Sequence, residues 1–163
     1  MDLSDEIRRT FRQTVIISGA LTASLLVYAI MLEIIKTTLA PFPGFLQIAG
    51  GQMMRYFFYG VAVLVIILTR LLSRTPLRSG PEEGPFVFIN KLARAAILIA
   101  AVSEIPAVLG FIFFIMTGTS RDFYFLFLVS LILEFLYFPR RRVWEELVSS
   151  RLPAARLKGG SNG

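Results

Sequence analysis

The stretch ARAAILIAAVSEIPAVLGFIFF, residues 93–114, decides the fold of this chain. It contains two charged residues, Arg94 near its start and Glu104 near its middle, among alanines, branched aliphatic residues and phenylalanines. The hydrocarbon core of a bilayer is about 30 Å thick and needs about 20 predominantly apolar helical residues to cross it. The sequence therefore predicts that residues 95–117 form a membrane-spanning helix.

Three further apolar runs, at residues 14–35, 53–72 and 123–138, approach the same length. The chain of 163 residues is 55% hydrophobic and has a mean hydropathy of +0.68, which is more apolar surface than a soluble domain of this size buries. We therefore predict an all-α integral membrane bundle of four transmembrane helices, forming a single domain over residues 1–152. The fourth run is the shortest, because Pro139 follows it.

The sequence after the fourth run predicts a helix at the membrane surface and then a disordered tail. Within residues 140–151 the apolar side chains, including Trp144, fall on one face of a helix, a pattern typical of an interfacial helix. Residues 153–163 include Gly-Gly-Ser-Asn-Gly at their end, and we expect them to be disordered.

Basic residues flank the apolar runs and are unevenly divided between their two ends. The net charge is +6, and 14 of the 17 lysines and arginines fall at the end that holds both termini. Because lysine and arginine collect on the cytoplasmic side of membrane proteins, we predict that both termini are cytoplasmic, in a bacterial inner membrane. The same distribution favours the lipid bilayer, and not nucleic acid, as the partner of these residues.

The absence of cysteine and histidine limits the chemistry that the chain can carry. It excludes disulfides, thiol nucleophiles, Ser-His pairs, and zinc or haem sites built from those residues. Paired carboxylates and phosphate-binding glycine loops do not stand out in the sequence either. We therefore predict no catalytic site, no cofactor and no metal. A membrane enzyme acting on lipid or quinone stays open as an alternative.

Small residues recur along one side of the predicted third helix, at alternating steps of three and four. Such a seam lets helix backbones approach closely inside a membrane. Gly19 and Ala23 in the first run form a second small-residue pair, which could receive the third helix or serve generic packing. The small-residue seam consists of Ala93, Ala96, Ala100, Ser103, Ala107 and Gly110.

Glu104 is the most informative residue of the chain. It follows Arg94 by ten residues and so lies about 15 Å deeper in the membrane. An ionised carboxylate costs at least about 2.5 kcal/mol there, so we expect the protonated form. Pro106 has no amide hydrogen, which leaves the Val102 carbonyl without its usual helical partner. We predict a proton or cation site formed by Glu104, Ser103, the Val102 carbonyl and the turn that Pro106 interrupts.

Two tyrosines, Tyr28 and Tyr59, are candidate partners for Glu104 from other helices. The alternative interpretation is that Pro106 only kinks its helix and that Glu104 hydrogen-bonds a neighbouring helix.

Two other acids lie within the apolar runs. Glu134 lies about 7 Å inside the end of the fourth run. It could relay protons toward the mid-membrane acid, or pair with Arg70 or with the arginines at 140–142. Glu33 precedes Lys36 by three residues, a spacing that predicts an ion pair on the surface of the first helix.

Residues 103–111, Ser-Glu-Ile-Pro-Ala-Val-Leu-Gly-Phe, resemble the ion-carrying helix of the proteolipid subunits of rotary ATPases. The resemblance implies that Glu104 carries H⁺ or Na⁺ and that helical hairpins assemble into a ring. It covers about 20 residues. The second run departs from the family, because Gly60 is its one glycine where the family has a glycine-rich helix.

A second resemblance covers the end of the chain. Asp-Phe-Tyr at 122–124, Phe-Pro-Arg at 138–140 and Trp-Glu at 144–145 are similar to sequences of small four-helix bacterial membrane proteins. This resemblance implies an architecture and no activity.

Two functions therefore follow from the sequence. The first is proton or cation handling through Glu104. The second is a non-catalytic scaffold or accessory subunit, which uses the small-residue seam to bind partner helices and the basic tail to bind anionic lipid. In either case we expect a homo- or hetero-oligomer with other membrane subunits.

Overall fold

The computed structural model describes residues 3–45, 51–74, 85–140 and 146. Within those ranges the regular structure is entirely helical and contains no strand, so the predicted all-α class is confirmed. The four helices are α1 (Leu3–Thr38), α2 (Gly51–Arg74), α3 (Pro85–Thr117) and α4 (Ser120–Tyr137).

Three helices are long and apolar enough to cross a membrane, which is compatible with an integral membrane protein. α4 is not one of them, because its 18 residues include Arg121, Asp122 and Glu134. Among the described residues the prediction of four spanning helices is therefore supported for three, whose candidate spans are Arg8–Thr38, Gln52–Arg74 and Val87–Thr117.

The predicted surface helix at 140–151 and tail at 153–163 lie outside the described residues, apart from Arg140 and Glu146.

Two helices begin about three turns earlier than the apolar runs predict. α1 starts at Leu3 and α3 at Pro85, where the sequence predicted starts at residues 14 and 95. Hydropathy marks only the lipid-compatible part of a helix, whereas backbone hydrogen bonding continues through polar turns. These early turns pack together, since Phe11 of α1 contacts a buried cluster that contains Phe88 and Ile89 of α3.

α3 lies at the centre of the bundle and packs against each of the other three helices. α1 and α3 run in the same direction, while α2 and α4 run in the opposite one. On one side Phe113 of α3 packs against Phe58 of α2, with ring centroids 5.3 Å apart. On another side Phe114 is buried with Leu32 of α1 and Phe123 of α4.

The α1–α2 loop and the α3–α4 turn pack closely against each other at two glycines. Gly44 and Gly118 have φ values of +84° and +73°, which side-chain-bearing residues rarely adopt. A Cβ on Gly44 would lie 2.5 Å from the Met116 carbonyl oxygen, and one on Gly118 would lie 2.5 Å from that of Phe42. This contact places both connections at one end of the bundle, called here the loop end. α1 begins and α4 ends at the opposite end.

A buried ion pair ties α2 to α4 at the loop end. Asp122, which is 3% exposed, accepts hydrogen bonds from Arg55 Nε at 2.8 Å and from the Tyr59 hydroxyl at 2.6 Å. Asp122 also lies in the first turn of α4, where the helix dipole favours negative charge. The charge of Asp122 would disfavour the insertion of α4 into a membrane, but Arg55 and Tyr59 both bind this carboxylate.

The small-residue seam of α3 is covered within the chain. At Gly110 an added Cβ would lie 3.0 Å from Leu126 Cβ and 3.2 Å from Phe123 Cα, so α4 passes very close. The Ala107 amide donates to Ser130 Oγ of α4 at 2.9 Å, and Ala93 packs with the cluster that contacts Phe11 of α1. The other members are half-buried (Ala96, Ala100) or fully buried (Ser103).

The Gly19–Ala23 pair does not receive α3. Nothing lies within 4 Å of a Cβ added to Gly19, and Ala23 is exposed. The face of α1 that packs inward carries Thr14, Ser18 and Leu25. The expectation that these small residues contact the third helix is wrong, because α1 is rotated so that its hydroxyl-bearing face turns inward.

We predict that Gly110→Ala lowers the free energy of unfolding by about 1–3 kcal/mol, because the new methyl group forces α3 and α4 apart. The measurement is reversible unfolding in mixed detergent micelles, followed by helical circular dichroism. Gly60→Ala is the matched control, since its Cβ meets open space and alanine favours a helix by up to about 1 kcal/mol. Equal stability of the two variants would contradict the close α3–α4 contact.

Candidate functional site

Glu104 of α3 is held by residues of α1. Ser24 Oγ is hydrogen-bonded to Glu104 Oε1 and also lies 2.6 Å from the Leu21 carbonyl oxygen, so the two acceptors share its single hydrogen. The Tyr28 hydroxyl lies next to Ser24 and Glu104. Glu104 is half-buried in the interface between the two helices. A carboxyl group in a low-dielectric interface gains more from such a hydrogen bond than it would in water. The mid-membrane acid is thus partnered from a neighbouring helix.

The hydroxyl groups of α1 mostly satisfy themselves on their own helix. Thr14 donates to the Thr10 carbonyl at 2.9 Å, and Thr22 donates to the Ser18 carbonyl at 3.0 Å. This i to i−4 pattern is common for serine and threonine in helices. Most of these polar side chains can therefore line the inward face of α1 with their donors satisfied, and the exception among the described residues is Ser18.

The hydrogen bonds at Pro106 and Ser103 do not involve the Glu104 carboxyl. Pro106 is buried in α3, and the amide of the next residue, Ala107, donates to Ser130 Oγ of α4. The Ser103 hydroxyl donates to the Ile99 carbonyl at 2.7 Å. Ser103 is buried and lines a small cavity together with Ser18 and Thr22 of α1 and Glu134 of α4.

Val102 is half-buried on α3, one turn before Pro106. Tyr59, the other candidate tyrosine, donates to Asp122 at the loop end. The structure thus brings Ser24 and Tyr28 to Glu104 and places Ser103 and Tyr59 elsewhere.

Glu134 of α4 is the second acid inside the bundle, and it is 5% exposed. Neither of its carboxyl oxygens has a hydrogen-bond partner among the described residues, and the same holds for Ser18 Oγ. These three atoms belong to residues that line one cavity of about 10 Å³, together with Thr22 and Ser103. That volume is about the minimum for one water molecule.

The environment of Glu134 differs from what its sequence position suggested. Within the described part of the chain it makes no ion pair with Arg70 or Arg140, while Arg141 and Arg142 lie outside that part. It is instead close enough to Glu104 for the two charges to interact. Two carboxyl groups from α3 and α4 therefore flank the inward face of α1.

The loop end is closed by aromatic and aliphatic side chains. Leu32, Phe114 and Phe123 are completely buried, and Phe111 packs against them and lies 5.8 Å from the Tyr28 ring. This aromatic cluster separates the acids from the residues at the loop end.

Glu33 lies beyond this cluster, on the exposed side of α1. Its carboxylate pairs with Lys36 at 3.1 Å, so that predicted ion pair is confirmed, and it also accepts a hydrogen bond from Tyr124 of α4. Glu33 is accessible and fully partnered, and so differs from both internal acids.

Comparison with known proteins gives no relative: no family model, no curated protein and no solved structure matches the chain. Among the described residues no group of three acidic, histidine or cysteine side chains is placed to hold a metal ion.

Sequence reasoning missed the residues that contact the acids. Ser18, Thr22 and Ser24 were not connected with the acids, although hydroxyls at positions 10, 14, 18 and 22 repeat every four residues. That spacing marks one face of a helix. Asp122 was also missed as a partner of Arg55, because the two lie 67 positions apart.

We predict that Glu134→Leu raises the free energy of unfolding by about 1–3 kcal/mol, because burying an unpartnered polar group is costly and leucine is apolar. Unfolding in detergent micelles measures it. Glu33→Leu is the control, and its stability should fall or stay unchanged, since it removes a partnered surface acid. A less stable Glu134→Leu protein would show that this carboxyl serves the fold.

Proposed function

We propose that this chain is an integral protein of the bacterial inner membrane that binds and releases a proton at Glu104, as a component of proton translocation. The observation that carries the proposal is the hydrogen bond from Ser24 of α1 to the Glu104 carboxyl inside the helix interface. Intramembrane carboxyl groups are costly and are retained mainly for function. The nearby carboxyl of Glu134 gives further support.

The proposal includes α4 as a fourth spanning helix. Its 18 residues give a length of about 27 Å, close to the hydrocarbon thickness. Asp122 is neutralised by Arg55, and Glu134 is buried inside the bundle. The surface that α4 exposes is apolar, with Phe125, Phe135 and Leu136 each more than half exposed. Lipid would therefore meet few of its charges.

The orientation in the proposal follows from charge. α1 begins and α4 ends at the same end of the bundle, opposite the loop end, and this end carries most of the basic residues. We place it in the cytoplasm. Assembly with other membrane subunits stays a prediction from the sequence.

A proton suits Glu104 better than a metal cation does. A cation inside a membrane protein needs a shell of oxygen ligands that replaces its water. The described side chains beside Glu104 supply two hydroxyl groups, from Ser24 and Tyr28. A proton needs no such shell, because it neutralises the carboxyl directly.

The resemblance to rotary ATPase proteolipids supports Glu104 as the carrier and does not extend to a ring. In that resemblance small residues let hairpins of neighbouring copies pack closely. Here the seam at Gly110 and Ala107 is filled by α4 of the same chain. Ala96 and Ala100 of the same seam are half-buried, and a scaffold that binds partner helices through the seam stays a prediction from the sequence.

The proposal predicts that dicyclohexylcarbodiimide, a reagent for protonated carboxyl groups in apolar surroundings, modifies Glu104 in a pH-dependent way. Peptide mass spectrometry of the labelled protein locates the adduct. Glu104→Gln should abolish it, while Glu33→Gln, an exposed acid on α1, should leave it unchanged. Absence of labelling at Glu104 at both acidic and neutral pH would contradict proton binding there.

Translocation itself is tested in vesicles that contain the purified protein, a potassium-driven membrane potential and an internal pH dye. We expect proton flux above that of protein-free vesicles, at least about tenfold lower in Glu104→Gln and unchanged in Glu33→Gln. Equal flux in wild type and Glu104→Gln would exclude Glu104 as the carrier.

A further inference from the structure

A polar pocket lies between α1 and α3 at the end where both helices begin. It has a volume of about 370 Å³, within the range of small-molecule sites. α1 contributes Arg9, Thr10 and Gln13, and α3 contributes Asn90 and Arg94. The remaining wall is mostly apolar. This pocket is separate from the acids described above and is called here the basic pocket.

The basic pocket carries positive charge that no described acid offsets. None of its lining residues is acidic. The ion pairs of Lys36 with Glu33 and of Arg55 with Asp122 both lie near the loop end, away from this pocket. Arg9 and Arg94 therefore face the pocket without a carboxylate partner in the described part of the chain.

The donors of the basic pocket match a phosphate group. Each arginine offers a planar set of N–H donors that suits phosphate oxygens, and the amides of Gln13 and Asn90 add two more donors each. An uncharged ligand would supply no negative charge to balance the guanidinium groups of Arg9 and Arg94. An anion with several acceptor oxygens satisfies both the charge and the geometry.

The surface around the basic pocket points to a lipid as the source of that phosphate. Ile17, which lines the pocket, is 41% exposed, and Ile16 and Leu98 nearby are 60% and 54% exposed. These apolar side chains lead from the pocket along α1 and α3 toward the middle of the bundle. They offer a path for acyl chains, which a free phosphate ion would not use.

We propose that the basic pocket binds the phosphate group of an anionic phospholipid, with the acyl chains lying along the exposed apolar surface of α1 and α3. Basic pockets between membrane helices at the cytoplasmic side are suited to such headgroups. The proposal does not depend on proton binding at Glu104, since neither acid lines this pocket.

Native mass spectrometry of the detergent-purified full chain tests the proposal, with phosphatidylglycerol as the probe. Each arginine near a lipid headgroup contributes about 1 kcal/mol, or about fivefold in affinity. Arg9→Gln and Arg94→Gln should therefore each weaken binding about fivefold, and the double variant about 25-fold. Arg12→Gln is the matched control, because Arg12 is exposed on the same helix and does not line the pocket. Its binding should be unchanged.

Two further probes separate the sources of phosphate. Phosphatidylcholine, whose net charge is zero, should bind more weakly than phosphatidylglycerol, and millimolar inorganic phosphate should not displace the bound lipid. Equal binding of phosphatidylglycerol by wild type and by both single variants would overturn the proposal. Displacement by inorganic phosphate would also overturn it, since the pocket would then take the free ion. If the double variant loses its helical circular dichroism signal, it is no longer folded, and the two single variants then carry the test.

Discussion

The structure depends on one physical constraint: a polar side chain placed between apolar helices must find its hydrogen-bond partner inside the bundle. α3 carries Glu104 at about the middle of its apolar stretch, and Ser24 of α1 supplies the partner. α3 also packs against all three other helices. Glu104 therefore lies on the helix that packs against all the others, where a side chain of a neighbouring helix can reach it.

Three acids of the bundle differ in the partners of their carboxyl groups. Asp122 is buried and bound by Arg55 and Tyr59, so it serves as a structural tie between α2 and α4. Glu104 has a hydroxyl partner and forms no ion pair with a cation of the described ranges. Glu134 is buried with neither oxygen partnered among the described residues. The first arrangement stabilises the fold, and the other two carboxyl groups are the ones on which the proposed proton binding depends. This contrast supports a role for the inner pair beyond packing.

The sequence predicts how far along a helix a residue lies much better than it predicts which face of the helix turns inward. Hydropathy located the apolar parts of α1, α2 and α3, and counting from Arg94 placed Glu104 deep inside α3. The Glu33 to Lys36 pair was also predictable, because it depends on local spacing. Hydropathy could not give the inward face of α1, on which Ser18 and Leu25 are buried while a Cβ on Gly19 would meet nothing within 4 Å. Pairings between helices, such as Arg55 with Asp122, depend on tertiary packing that no local pattern records. The polar turns that begin α3 at Pro85 were missed for a related reason, since helices continue beyond their apolar parts.

The central claim is that the Glu104 carboxyl is bound by Ser24 inside the helix interface. Isotope-edited infrared spectroscopy of the protein in lipid vesicles tests this claim most directly. The account predicts a carboxyl vibration that disappears in Glu104→Gln and changes frequency in Ser24→Ala, because the hydrogen bond to the acid is lost. A Glu104 vibration that is identical in wild type and Ser24→Ala, and that follows bulk pH as an exposed glutamate does, would contradict it.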